Sequence, residues 1–194
     1  MNLPDHERYG KIRLFETFIQ ALSDLVDEDE VLFSWKKRRI AITHRLAVHL
    51  DHGFTEAFSS TKEVPPFVDM CAPIIDDSKI MIPDILVHHR TENVPQHLLA
   101  VVCKEGYLTE QELLELHELR KVSQCELTLA LSFLAPRDYL LIYRFDETTI
   151  DYYHFLRHEK HCQLFRRREL SDLPSDVHQL KLAIKTRQGS ARRR

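Results

Sequence analysis

Residues 81–105, MIPDILVHHRTENVPQHLLAVVCKE, constrain what this chain can fold into more than any other stretch. Two apolar runs, 82–90 and 97–104, are separated by a polar segment, 91–96. Aliphatic and β-branched runs bounded by Asn and Pro predict an antiparallel hairpin with a longer loop. Residues equidistant from the loop centre face one another across such a pair. Asp84 is nearly equidistant with Cys103 and Lys104. An acid and a lysine far apart in sequence are therefore expected to meet at one end of the hairpin.

The flanking segments supply helices. Over 7–27 the residues Ile12, Phe15, Phe18, Ile19, Leu22 and Val26 recur near one helical stripe. The acidic run DEDE at 27–30 marks a turn and a new helix start, where negative charge suits the helix dipole. A second helix is expected over about 31–51, with Trp35, Ile42, Leu46 and Leu50 inward and Gly53 as its stop. Pro65, Pro66 and Pro73 punctuate the next segment, with 67–75 as a first strand.

Beyond the hairpin, 108–122 reads as a helix with a capping box, Thr109 as N-cap and Glu112 three residues on. Its buried side is Leu113, Leu114, Leu116 and Leu119. A strand over 125–134 behind that helix predicts a right-handed crossover. Segments 138–145 and 148–156 form another hairpin around Asp146 and Glu147. A last amphipathic helix is expected after Pro174, capped by Ser175, with Val177, Leu180 and Ile184 inward. The expectation is a single domain over 1–188 with a basic tail, 189–194.

Pro83 and Asp84 on one strand, with Lys104 ending the next, resemble the PD-(D/E)XK nuclease superfamily, the restriction-endonuclease-like fold. The order helix, three strands, helix, strand is similar to that family as well. The resemblance implies an α/β protein with a restriction-endonuclease-like core, a mixed β-sheet flanked by α-helices. It also implies a catalytic pair: Asp84 as ligand of Mg²⁺ or Mn²⁺, and Lys104 as the group steadying charge on the phosphate. The departure lies two residues before the lysine. The family carries Asp or Glu there, and this chain has Val102. Alternation along a strand puts Val102 on the face of Lys104, where the missing oxygens would be needed.

Many relatives also place an acid on the helix ahead of the sheet. In SWKKRRI, 34–40, the best alignment puts Arg39 there, and an arginine opposes a bound cation. Glu105 follows the lysine but should point away. Glu110 and Glu112 on the next helix are the acids that could have migrated into the site.

Composition narrows the alternatives. The chain has 194 residues, 43% apolar and 29% charged, as a soluble globular protein does. No apolar run nears the ~20 residues of a membrane helix, and no signal peptide opens the sequence. Four glycines, none in a phosphate-cradling motif, exclude the nucleotide fingerprints. Cys71, Cys103, Cys125 and Cys162 show no paired spacing and read as reduced thiols of a cytoplasmic protein. From Phe155 onward there are eleven Lys and Arg against four Asp and Glu, a balance of +7, so the rest of the chain carries −10. The basic residues Lys36, Lys37, Arg38, Arg39, Arg166, Arg167 and Arg168 suit phosphate neutralisation, or else a solvated face.

Histidine offers a rival site. His158, His161 and Cys162 are zinc-type ligands without a second matched pair, and His161 and Cys162 on a strand would diverge. No nucleophile-elbow motif supports a hydrolase. The expected function is therefore a catalytically impaired PD-(D/E)XK-like protein binding nucleic acid (DNA or RNA) or protein. The alternatives are a Mg²⁺-dependent DNA endonuclease using Asp84, Lys104 and a relocated glutamate, and a scaffold or homo-oligomer subunit.

Overall fold

A computed structural model describes residues 5–35, 38–58, 64–76, 79–90, 96–134 and 137–173. In chain order these form α1 (Asp5–Asp29), a 3-10 turn (Glu30–Ser34), α2 (Arg39–Phe58), β1 (Phe67–Met70), β2 (Ile74–Asp76), β3 (Lys79–Met81) and β4 (Ile85–His89). Then come β5 (Gln96–Glu105), α3 (Glu110–Ser123), β6 (Leu127–Phe133), β7 (Tyr139–Phe145), β8 (Thr149–Leu156) and β9 (His161–Glu169). The last helix expected from sequence, after Pro174, lies outside the described residues, as does the basic tail.

The hairpin at 81–105 is present as β4 and β5. Ile85 pairs with Val101 and Val87 with Leu99, and the register slips between Val87 and His88. Around it a seven-stranded sheet runs in the order β1-β4-β5-β6-β7-β8-β9. β5 and β6 are parallel, joined by α3, and every other pair is antiparallel. β2 and β3 make a separate two-stranded ribbon.

Alternation on β5 divides the core. Leu99, Val101 and Cys103 join the cluster formed with Phe18, Leu22 and Leu25 of α1 and Ile42, Leu46 and Leu50 of α2. Ala100 and Val102 belong to the other face, with Leu113, Leu116 and Leu119 of α3 and Ile74 of the ribbon. β6 is buried along its whole length, as a strand covered on both faces must be. The result is three layers: α1 and α2, the sheet, and α3 with the ribbon.

The structure corrects several expectations. The second helix begins at Arg39 rather than 31, because Glu30–Ser34 is a tighter 3-10 turn. Trp35 falls outside the helix and is 53% exposed. Gly53 lies within α2 and does not end it. A Cβ there would stand 3.2 Å from the Thr17 methyl, so glycine lets α1 and α2 approach closely. Phe54, 1% exposed, extends the buried stripe past it. The strand expected at 67–75 is split at Cys71, whose φ of 53° turns the chain between β1 and β2. β3 and β9 have no counterpart among the expected strands, β9 because its residues are mostly exposed and lack an apolar alternation.

The capping box of α3 is formed: the Glu112 N–H donates to Thr109 Oγ1 at 3.3 Å, and the Thr109 N–H donates to Glu112 Oε2 at 2.7 Å. Replacing the cap hydroxyl leaves a helix-end N–H unpaired. Thr109→Ala is expected to lower stability by about 1 kcal/mol in urea denaturation, with Thr109→Ser close to wild type.

Candidate functional site

Pro83 ends the β3–β4 connection and Asp84 begins the turn into β4, so the Asp84 side chain reaches across to β5. Its Oδ2 accepts the Cys103 N–H at 2.7 Å, and its backbone oxygen accepts the Cys71 N–H at 3.1 Å. Asp84 thus meets β5 at Cys103, while the Lys104 side chain is bonded to Glu112 of α3 and not to Asp84. The second carboxylate oxygen is occupied too: Arg39 Nη2 donates to Asp84 Oδ1 at 2.6 Å. Arg39 is the first residue of α2, and its own N–H donates to Glu105 Oε1 at 3.0 Å. Glu105, opposite in face to Lys104, places its negative charge at a helix N-terminus, where the dipole favours it.

Lys104 is engaged by Glu112 of α3, in a hydrogen-bonded ion pair. Burial pushes the Glu112 carboxyl up, but the bonds from Lys104 and from the Thr109 backbone and hydroxyl outweigh it and hold the carboxyl below its usual range. The capping box therefore aims the glutamate that meets the lysine. The Cys103 thiol is buried and pushed up to about 12, which removes it as a nucleophile at neutral pH.

Arg39, Cys103, Lys104, Glu105 and Glu112 border a cleft of about 660 Å³; Asp84, bound to Arg39, is not part of its lining. Ile40, Met81, Val102, Leu108, Leu116 and Leu119 supply apolar wall, and Arg39, Lys104, Glu105, Glu112 and Glu115 supply the charge. Val102 is in the cleft on the side of Lys104.

The donor set does not fit Mg²⁺ or Mn²⁺. Such ions need several oxygens at near-octahedral positions. Asp84 already serves a guanidinium and a backbone N–H, Val102 offers hydrocarbon, Glu112 is held by Lys104 and Thr109, and Glu105 by the Arg39 N–H. That leaves Glu115 alone among the described acids of the lining, itself bonded to Gln111 of its own helix. At Asp84 itself the charges nearly balance. At ~4 Å and an effective dielectric near 20, one unit charge acts on a divalent ion with about 8 kcal/mol. Attraction by Asp84 and repulsion by Arg39 cancel to first order.

The remaining residues singled out from sequence lie elsewhere. Glu110 accepts from Arg168 Nη1 at 2.8 and 3.1 Å and does not line the cleft. Arg167 forms two bonds to buried Asp151, at 2.5 and 2.8 Å, which hold that carboxyl below its usual range. Arg166 has no carboxylate partner among the described residues and rests 5.8 Å over the Tyr152 ring. Arg38 donates to the Phe33 carbonyl. Lys36 and Lys37 lie outside the described residues. Three of the seven basic residues, Arg39, Arg167 and Arg168, are thus already neutralised by acids that sequence alone could not assign to them.

His158, His161 and Cys162 do not gather as ligands. Cys162 packs against the α1–α2 core, where burial pushes its thiol up to about 11. Among the described residues, Glu28, Asp29 and His49 do bring ligand atoms within 4.8 Å of one another. Arg45 fills that cluster, donating from Nε to Asp29 at 2.6 Å and from Nη2 to Glu28 at 3.3 Å, and His49 Nε2 lies 3.0 Å from Asp29. It is an ion-pair knot between the end of α1 and the middle of α2.

No protein-family model matches the chain, and no curated protein matches it either.

The depressed Glu112 carboxyl has a pH consequence. Its ion pair contributes stability that is present above the ordinary glutamate pKa and is lost as pH falls through the lower folded-state value. Lys104→Met removes the stronger of the opposing bonds. It is expected to cost about 1 kcal/mol at pH 7, given the partial exposure of the pair. The difference from wild type should shrink as pH is lowered past the Glu112 titration, measured by urea denaturation across the acid range.

Proposed function

We propose that this chain is a non-cleaving nucleic-acid-binding module on a restriction-endonuclease-like scaffold. The observation that carries the reading is the Arg39–Asp84 ion pair beside Val102. A guanidinium stands against the one acid of the motif, and an isopropyl group stands where the other acid would be. The element order supports the scaffold: a helical pair, the antiparallel strands β1, β4 and β5, then α3 and a parallel β6. That order, with Asp84 entering β4 and Lys104 near the end of β5, is what supports the reading.

Nucleic acid is the favoured ligand for two reasons. Arg166 on β9 carries a charge without a carboxylate partner among the described residues. Beside it the Phe165 ring, 63% exposed, stacks on His154 at 4.3 Å, which in turn stacks on Tyr139 at 4.2 Å. Exposed ring faces next to a cation suit unpaired bases and a phosphate backbone. A protein ligand is the second reading, favoured by Leu164 and Phe165 lying exposed on a terminal strand of the sheet. The endonuclease alternative would draw on Asp84, Lys104 and Glu112, all three of which are engaged with other groups. No helix among the described residues is long and apolar enough to cross a membrane. A cytoplasmic location belongs to the same reading, in keeping with four free cysteines.

Purified protein incubated with plasmid or single-stranded DNA and Mg²⁺ or Mn²⁺ is expected to leave both intact. It is also expected to bind single-stranded DNA or RNA with an affinity that falls as salt rises, and Arg166→Gln and Phe165→Ala should weaken that binding. Cleavage abolished by Asp84→Ala and by Lys104→Ala would overturn the non-cleaving half. No binding even below about 50 mM salt would remove the nucleic-acid half.

A further inference from the structure

A second cleft, of about 550 Å³, opens beside the carboxyl end of β6 on the α1–α2 side of the sheet. Three arginines line it: Arg38 from the approach to α2, Arg137 from the β6–β7 connection, and Arg157 from the turn after β8. Phe33 and Phe133 form part of its floor, and among the described residues Glu30 is the one acid in its lining. The lining therefore carries a balance of +2. Asp138, 79% exposed, lies 3.8 Å from Arg157 and reduces this only through solvent.

The hydrogen-bonding capacity of these arginines is not used up. Arg38 donates from Nη1 to the Phe33 carbonyl, and its Nε is buried with no hydrogen-bond partner. Arg157 donates from Nη2 to the Arg137 carbonyl at 3.0 Å and sits 5.2 Å over the Phe33 ring; its Nε is also buried and unpartnered. Arg137 is exposed, and no carboxylate pairs with it among the described residues. The two buried Nε groups are closed to a ligand, so the donors that the cleft offers are the remaining Nη groups of Arg38 and Arg157 and the guanidinium of Arg137. The arginines themselves are held in place, Arg157 by a carbonyl and a ring, Arg38 by a carbonyl. A ligand would therefore meet a largely formed fork of donors.

From this geometry we infer that the cleft binds a phosphate monoester. A monoester carries close to two negative charges at neutral pH and three oxygens to accept from guanidinium forks. That matches the lining balance of +2 and the spare donors of three arginines. The apolar floor takes the organic part of the ester. Two sources share this chemistry, a free nucleotide and the 5′-phosphate end of a nucleic-acid chain. The site is distinct from the cleft lined by Arg39 and Lys104 and from the β9 surface, and the inference does not depend on either. Arg38 and its neighbour Arg39 serve different clefts, Arg39, bound to Asp84, lining one and Arg38 lining the other.

Isothermal titration of the full chain tests this with inorganic phosphate, adenosine 5′-monophosphate, and one short single-stranded oligonucleotide carrying either a 5′-phosphate or a 5′-hydroxyl. Adenosine monophosphate and the 5′-phosphorylated strand are expected to bind competitively with inorganic phosphate, and the 5′-hydroxyl strand not to compete. Arg157→Gln is expected to weaken binding about tenfold, the loss of one charged hydrogen bond. Arg137→Gln, a surface change that does not threaten folding, should weaken it measurably as well. Equal affinity for adenosine monophosphate and the phosphorylated strand would identify the free ester as the ligand. Tighter binding of the strand would identify the chain end. The inference is overturned if no phosphate compound binds, if the hydroxyl strand competes as well as the phosphorylated one, or if Arg137→Gln changes nothing. Absence of binding by every phosphate compound, beside hydroxyl-strand binding that Phe165→Ala abolishes, would preserve the β9 reading while removing this one.

Discussion

The ion pair between Arg39 and Asp84 sets the character of the larger cleft. It joins the first residue of α2 to the turn entering β4, and the same aspartate fixes the end of β5 through the Cys103 N–H. Glu105 then receives the Arg39 N–H. A helix start and two strands are thereby tied at one point by charge and hydrogen bonds. A guanidinium is a permanent, planar cation that never deprotonates in a protein. In this position it neutralises the acid and braces the scaffold, so the carboxylate is stabilised without a divalent ion.

Several polar groups at this end of the sheet are matched within the fold. Lys104 has Glu112, Glu112 is oriented by the capping box of α3, and Glu105 caps α2. The pairs are partly exposed, and each contributes modestly to stability. Their larger effect is on what the cleft can recognise. Charges already satisfied within the fold leave the apolar walls as the accessible contact surface. Unspent cationic capacity moves to Arg166 on β9 and to the arginine-lined cleft behind β6. The chain thus separates a cleft whose cations are paired within the fold from surfaces where arginine charge is left over.

Much of the framework is legible in sequence because it rests on short-range pattern. The β4–β5 pair follows from two apolar runs around a polar loop, and the capping box of α3 from Thr109 and Glu112 at their fixed spacing. Alternation alone puts Val102 and Lys104 on one face and turns Glu105 away. An arginine at the position of Arg39 is recognisably hostile to a cation. Its pairing with Asp84 is not legible, because that contact joins residues distant in sequence and depends on where α2 starts, which the 3-10 turn at Glu30–Ser34 displaces. β9 escapes because its exposed, arginine-rich residues carry no core-facing period, and its pairing with β8 comes from backbone hydrogen bonds. The convergence of Arg38, Arg137 and Arg157 is invisible for a similar reason: three separate connections bring them together, and no spacing rule links them.

Mn²⁺ titration, followed by calorimetry, tests most directly whether the larger cleft is closed to divalent ions, comparing the wild-type chain with a variant carrying Arg39→Glu and Val102→Glu. No saturable, Asp84-dependent binding is expected in the wild type. Binding is expected to emerge when the guanidinium is removed and the second acid supplied. Saturable binding of Mn²⁺ by the wild type that disappears in Asp84→Asn would contradict this view of the cleft.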